Sequence, residues 1–307
     1  MTTIPTSSTA GYYDRARSDM TALRTKAETL QTQIGSQSRL TKSSDDPLAA
    51  SRLRALSRAD SLAKIDTTNA NRATADLNLA DSAMSDITTI ISQAQELATQ
   101  AASGTLNADQ RAIIGKQLAT IHDNLVSLVN SRDSTGNALF GGTNATTAYT
   151  LDASGNAVYT GTGAAQSLPL SPGESVTTSV TGPEFLNFKV GAKQTDLMAT
   201  IKTLADALQG GAADPASVAR SSLDALSTGL DTVSTAQTVV GTRLAWLDVS
   251  TTRATKMSES RAQEESDVGG IDVASSYAKL QEMLTVLQAS QASFTKLSSL
   301  SLFNQLR

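Results

Sequence analysis

The 307-residue sequence has no cysteine and a single histidine, His122. The first absence excludes a disulfide scaffold, a thiolate nucleophile, a cysteine-bound zinc and an iron–sulfur cluster. The second leaves no partner imidazole for a histidine-built metal site. Neither an enzyme nor a bound cofactor or metal is expected from such a repertoire. A net charge of -4 supplies no basic excess to neutralise a phosphate backbone, so nucleic-acid binding is not expected. No apolar run approaches the roughly 18 residues of a membrane span, and Met1 to Gly11 lacks the basic and apolar regions of a cleavable signal peptide. Aromatic residues number only 11, against 123 alanines, serines and threonines; any packing must therefore rely on aliphatic stripes flanked by small residues.

Those stripes recur with helical period. Tyr13, Ala16, Met20, Leu23, Ala27, Leu30 and Ile34 alternate spacings of three and four, the seam of a coiled-coil-like helix. Its flanks Ser18, Arg24, Lys26, Glu28 and Gln33 are polar, so one such helix cannot stand alone in water. After a turn, Asp46 is placed to cap a helix that begins at Pro47. Its seam is regular from Ala73 through Leu77, Ala80, Met84, Ile87, Ile91, Ala94 and Ala98 to Ala101. Asn107 or Asp109 caps a further helix with Ile114, Leu118, Ile121, Leu125 and Leu128. Helix resumes with Leu197, Ile201, Leu204 and Leu208, and Asp214-Pro215 repeats the earlier start signal. The next seam runs from Ala219 through Leu226, Val233, Val240 and Leu247 to Ala254. The last helix carries Val273, Tyr277, Leu280, Leu284, Leu287, Gln291 and Phe294.

Between Ser134 and Gln194 glycines and Pro169, Pro172 and Pro183 break the helical pattern. Tyr149-Thr-Leu151 and Ala157-Val-Tyr159 flank Asp152-Ala-Ser-Gly-Asn156 as a hairpin. Phe140, Tyr149, Tyr159, Phe185 and Phe188 are expected to form core rather than a carbohydrate site. The reading is a mainly α chain: an elongated bundle of long helices, antiparallel coiled-coil-like terminal helices and a small inserted β domain. Three parts follow: a terminal coiled-coil assembly domain of residues 1–42 and 271–307, a helical bundle of 43–134 and 195–270, and a β-rich outer insert of 135–194.

Isolated motifs weigh little. Ser61-Leu-Ala-Lys64, Ser276-Tyr-Ala-Lys279 and Ser293-Phe-Thr-Lys296 match an acylase nucleophile motif, but lie on long helices without its partner motifs. Asp45-Asp46 reads as helix capping rather than a metal pair. His122 is expected at the surface or its boundary, and Trp246 in packing. Asn144-Ala-Thr146 matches a glycosylation sequon that occurs often by chance.

Leu30-Gln-Thr-Gln-Ile34 leading through Arg39 to Ser44-Asp-Asp-Pro-Leu-Ala-Ala50, with Leu139-Phe-Gly-Gly-Thr143, Leu287-Gln-Ala-Ser290 and Leu300-Ser-Leu-Phe303, resembles the flagellin superfamily. The Ser-Asp-Asp-Pro, Leu-Phe-Gly-Gly-Thr and Ser-Leu-Phe forms are more similar to its hook–filament junction branch than to filament subunits. The superfamily often has a glycine where this chain has Gln37. The resemblance implies a structural, non-enzymatic part of the bacterial flagellum, extracellular and exported through the flagellar type III pathway without a cleaved signal peptide. It implies as partners copies of the same chain in a ring, a hook-side junction protein, filament flagellin or cap, and an export chaperone. The assembly seams would be Tyr13, Met20, Leu23, Leu30 and Ile34 on the first helix and Tyr277, Leu280, Leu284, Leu287 and Phe294 on the last. Asp45, Asp46 and Pro47 would serve as cap and subunit contact. The alternative is a filament flagellin; a surface polysaccharide-binding relative is a third reading.

Overall fold

The computed structural model describes residues 7–143, 146–171 and 173–305. Expectations placed on Met1 to Thr6, on Asn144 and Pro172, and on the side chains of Leu300 to Phe303 lie outside the described residues. In chain order the elements are α1 (Ser7–Ser36), α2 (Pro47–Ala102), α3 (Ala108–Val129), β1 (Tyr149–Leu151), β2 (Ala157–Tyr159), β3 (Ser167–Ser171), β4 (Glu174–Thr177), α4 (Gly182–Leu186), β5 (Asn187–Val190), β6 (Lys193–Asp196), α5 (Leu197–Asp206), α6 (Pro215–Gly269) and α7 (Val273–Gln305). A π-helical turn, Ala207–Gly211, follows α5 and contains Gly210, whose φ of 109° suits only glycine. The chain divides into two compact units, residues 1–61 with 256–307, and residues 62–255. Among the described residues, no helix is long and apolar enough to cross a membrane.

Several helix starts have a chemical cause. Asp46 accepts from the Ala49 amide at 3.0 Å with Pro47 at the first helical position, and Asp214 does the same for the Ser217 amide at 3.1 Å before Pro215. Of the two candidates before α3, Asn107 is the cap: it accepts from the Gln110 amide at 2.8 Å while the Gln110 side chain accepts from the Asn107 amide at 3.0 Å, a reciprocal capping box. Along the helix faces, threonine hydroxyls donate back to the carbonyl one turn earlier, as in Thr21, Thr25, Thr29 and Thr32 of α1 and Thr228, Thr232, Thr235 and Thr238 of α6.

In the unit of residues 62–255 the seam from Ala73 to Ala101 is fully buried at all nine of its positions, and Leu118, Leu125, Val129, Ile201, Leu204, Leu226, Val233 and Val240 meet it in one contiguous core. His122 departs from expectation. It is 5% exposed, its Nδ1 lies 3.4 Å from Asp123 and its Nε2 has no hydrogen-bond partner. It lies one turn after Leu118 and seven residues after Gly115, where an added Cβ would collide with Ala205 and Gln209, so this side of α3 is covered too. Trp246 departs in the opposite sense, at 39% exposed on the outer face of α6.

The inserted strands form three separate antiparallel pairs, β1–β2, β3–β4 and β5–β6. The first has the expected register, Tyr149 opposite Tyr159 and Leu151 opposite Ala157, closed by Asp152 accepting from the Ser154 and Asn156 amides. Pairs this short cannot close a core of their own. Instead Phe140, Tyr149, Phe185 and Phe188 join the core of the helices, with the Phe140 and Phe185 rings 4.9 Å apart and Phe188 against Gly229 of α6. Asn130, just past α3, substitutes for a strand: its side chain accepts from the Ala148 and Tyr149 amides and donates to the Tyr149 carbonyl, all near 3 Å. Asp76 of α2, 3% exposed, accepts from the Ser134 amide and hydroxyl. Gly182 lies against the Tyr149 ring so closely that a Cβ there would overlap it.

Candidate assembly surfaces

In the unit of residues 1–61 and 256–307, α1 and α7 pair antiparallel. The Tyr13 hydroxyl donates to the Leu297 carbonyl at 3.2 Å, and the Tyr13 and Phe294 rings meet edge-on at 5.4 Å. At the other end Ser38 bridges Gly270. On α1, the predicted seam residues Tyr13, Met20, Leu23, Leu30 and Ile34 are partly buried, as is Ala16, and Ala27 is buried; neighbouring positions are largely exposed. Met20, Leu23 and Phe294 line a groove of about 380 Å³ along the pair, with Tyr12, Val286 and Ser293 on its edges.

On α7 only part of the expected seam faces α1. Leu280, Leu287 and Phe294 are partly buried, but Tyr277 is 55% and Leu284 38% exposed. Ser276, Met283 and Ser290 take their place. A heptad written from Leu280 fits a partner line at either three or four residues' remove, and the more apolar line, Tyr277 and Leu284, is the one that faces outward. Two polar serines are tolerated within the contact because the stripe is narrow and only half-covered. Val286 and Leu297, 44% and 43% exposed, lie on the other side of the contact line, and Leu48 at the start of α2 is 83% exposed.

Where α1, α2, α6 and α7 end or begin, polar groups knot the chain. The Arg39 amide donates to the Gly269 carbonyl at 2.8 Å, and its guanidinium donates to the Val268 carbonyl at 3.0 Å and to Asp46 at 3.2 Å. A cation at the C-terminus of α6 meets unpaired carbonyls and the negative end of the dipole. Asp45 accepts from the Thr41 and Lys42 amides and the Thr41 hydroxyl, so it holds the turn while Asp46 caps α2. These amide and hydroxyl bonds hold the Asp45 carboxyl below its usual range, and the Ala49 amide and Arg39 do so for Asp46. Asp272 caps α7 through the Ala274 and Ser275 amides and is lowered by Ser275 in the same way. Gln37, in the turn between α1 and α2, has φ 53°, the left-handed region that favours glycine. Two ion pairs join α2 to α6 in this unit, Arg52 with both oxygens of Glu264 and Arg261 with Asp60 at 2.6 Å. Their partners are more than 200 positions apart in sequence, so no local spacing announces them.

No group of three or more histidines, cysteines or carboxylates that could hold a metal occurs among the described residues.

The model of the bacterial flagellin N-terminal helical region matches residues 8–145. Over 285 residues the chain is 28% identical to flagellar hook-associated protein 3 of Escherichia coli K12, covering 88% of this chain and 90% of that one. The chain is thus similar to the flagellin family through its N-terminal helical region and to hook-associated protein 3 over most of its length. A second hook-associated protein 3, from Salmonella typhimurium LT2, is 35% identical over 141 residues, 46% of this chain and 44% of that one. The fold is similar to the crystal structure of Xanthomonas campestris FlgL, with a TM-score of 0.62 at 17% identity over 69% of this chain and 99% of that one. Its turn glycine position before Arg39, where the superfamily resemblance leads one to expect glycine, is filled by Gln37 in a glycine conformation.

Proposed function

We propose that the chain is a structural subunit of the hook–filament junction, one of several copies that join hook to filament by packing their terminal helices. The observation that carries the reading is the likeness to hook-associated protein 3, which extends over 88% of this chain and 90% of the relative. A flagellar structural role also accounts for a terminal helix pair that buries one narrow stripe and leaves Tyr12, Tyr277, Leu284 and Leu297 exposed. Neighbouring subunits would cover that second stripe, while Tyr13, Met20, Leu23, Leu30 and Ile34 hold α1 against Leu280, Leu287 and Phe294 of α7. In this reading residues 1–42 and 271–307 form the assembly domain, 43–134 and 195–270 the helical bundle, and 135–194 the β-rich insert. Asp45, Asp46 and Pro47 set the turn that links the first two. Export through the flagellar type III pathway, aided by a chaperone and without a cleaved signal, belongs to the same proposal.

Deletion of the gene tests it: hooks should remain without attached filaments while flagellin escapes into the medium. Normal filaments in the deletion strain would refute the reading. Abundance separates a junction from a filament subunit, because sheared flagella should contain the chain only as a trace band. In the complemented strain, Tyr277→Asp with Leu284→Asp should abolish incorporation and leave the monomer's far-UV circular dichroism unchanged.

A further inference from the structure

Within the unit of residues 1–61 and 256–307, the start of α2 lies antiparallel to the end of α6. Gly269 of α6 meets the Leu53 side chain so closely that an added Cβ would collide with it, and Asp60 accepts from the Arg261 guanidinium at 2.6 Å. Leu53, Leu56 and Asp60 fall at spacings of three and four and form the side of α2 that faces α6, with Leu56 4% exposed. Arg54 and Arg58 each stand two residues from Leu56, which at 3.6 residues per turn is the opposite side of the helix, and both are exposed.

The same offset recurs on α6. Glu259 stands two residues from Arg261 and Asp267 two from Gly269, so both carboxylates are turned away from α2, and both are exposed. The two-helix layer thus has a basic back on α2 and an acidic back on α6. Lys256, also exposed, lies nearly a turn beyond Glu259 on the side away from Asp267. Among the described residues, no ion pair within 4.0 Å engages Arg54, Arg58, Glu259 or Asp267. Asp267 accepts from Gln263 of its own helix at 2.8 Å, which leaves its charge in place.

Height along the helices decides what can meet these backs. With Leu53 beside Gly269 and Asp60 beside Arg261, the antiparallel register sets Asp267 level with Arg54. Glu259 stands about one turn past Arg58, roughly 6 Å, within the reach of an arginine side chain. A copy placed alongside at the same height therefore sets opposite charges against each other without any shift along the helices.

We infer that the Arg54–Arg58 back of one copy meets the Glu259–Asp267 back of the next. The occupant is a second copy of this chain because the sign, the spacing and the height of the charges on one back answer those on the other. The two backs are different surfaces, so the contact is head-to-tail and propagates, and its common height suits a closed ring. Exposed ion pairs add little affinity singly; their part here is to fix the height of each neighbour and to reject a shifted one. This rests on the proposed junction role and names a contact between its copies.

The absence of cysteine makes the test clean. The full chain carrying Arg54→Cys and Asp267→Cys, expressed in the deletion strain and treated in isolated flagella with a short bismaleimide, should give covalent multiples of the chain. Within one copy the two sulfurs lie across a layer two helices thick, about 20 Å, too far for the reagent to join them. Either single variant should give none beyond background. Separately, Arg54→Glu with Arg58→Glu, or Glu259→Arg with Asp267→Arg, should lower the fraction of cells with attached filaments by about tenfold through like-charge apposition. All four changes together should restore it. Attached filaments without covalent multiples, undiminished filaments in both charge-reversed pairs, or failure of the fourfold variant to recover when its circular dichroism matches the parent, would overturn the inference while leaving the junction role intact. Multiples joined to a different flagellar protein would overturn the choice of occupant. Normal filaments in the plain deletion strain would instead remove the junction role itself.

Discussion

The same three-four seam is written into both units, yet it is buried to very different depths. Around Leu77, Met84, Ile87 and Ile91 of α2, three further helices and the inserted aromatics cover every side, and exposure falls to zero. Around Met20, Leu23 and Leu30 of α1 the only helix paired alongside is α7, and these residues stay partly exposed. A stripe of given hydrophobicity thus stabilises in proportion to the number of neighbours it finds. The unit of residues 62–255 finds them within the chain, and along α1 fewer are found.

Truncation should separate the two units most sharply. Leu118→Ala, in the covered core, is expected to cost about 2–5 kcal/mol in urea unfolding, whereas Leu30→Ala should cost about 1 kcal/mol or less, because part of its surface is already in water. Equal losses would mean that the terminal stripe is as deeply supported as the core. Next in size, Gly182→Ala drives a methyl group into the Tyr149 ring, and the overpacking should lower stability by about 1–3 kcal/mol; an unchanged melting temperature would show that β1 can move away freely. In the terminal unit, Gln37→Gly should stabilise by about 1 kcal/mol by relieving the left-handed backbone, visible as slower hydrogen exchange at the Ser38 and Arg39 amides.

Acid supplies the mildest contrast. Asp45, Asp46 and Asp272 all have carboxyls lowered in the folded chain by the amides and hydroxyls they accept from. A lowered folded value means that their contribution is fully present above the ordinary aspartate value of 3.8 and is lost as pH falls through the folded values below it. Between neutrality and pH 4 the exchange rates of the Lys42, Ala49 and Ser275 amides, corrected for intrinsic pH dependence, should therefore hold steady, then rise on further acidification. The aliphatic core of residues 62–255 should keep its protection over the same range.

Much of this was legible from residue order alone. The nine-position seam of α2, the Asp-Pro starts at 46 and 214 and the Tyr149–Tyr159 hairpin depend on periodicity and capping, which are local. What escaped depends on which neighbour a face meets. Which line of α7 meets α1 was not legible, since Tyr277 and Leu284 are more apolar than Ser276 and Ser290 and only the partner helix decides between them. His122 and Trp246 exchanged their expected places for the same reason: polarity suggests a surface, but the elements packed against α3 and α6 determine it. The ties of Arg39 to Val268 and of Arg52 to Glu264 span most of the sequence and leave no periodic trace.

The threonines that line α1 and α6 have one further consequence. Each hydroxyl that donates to the carbonyl one turn back has its hydrogen bond closed within its own helix, so a neighbour can press against that face without stranding a donor in a dry contact. Wetting and drying such a face costs little in polar desolvation, and what remains to hold two helices together is shape and a thin line of methyl groups. A surface of this kind can stand in water alone or be sealed against another helix with the same atoms bonded in the same way.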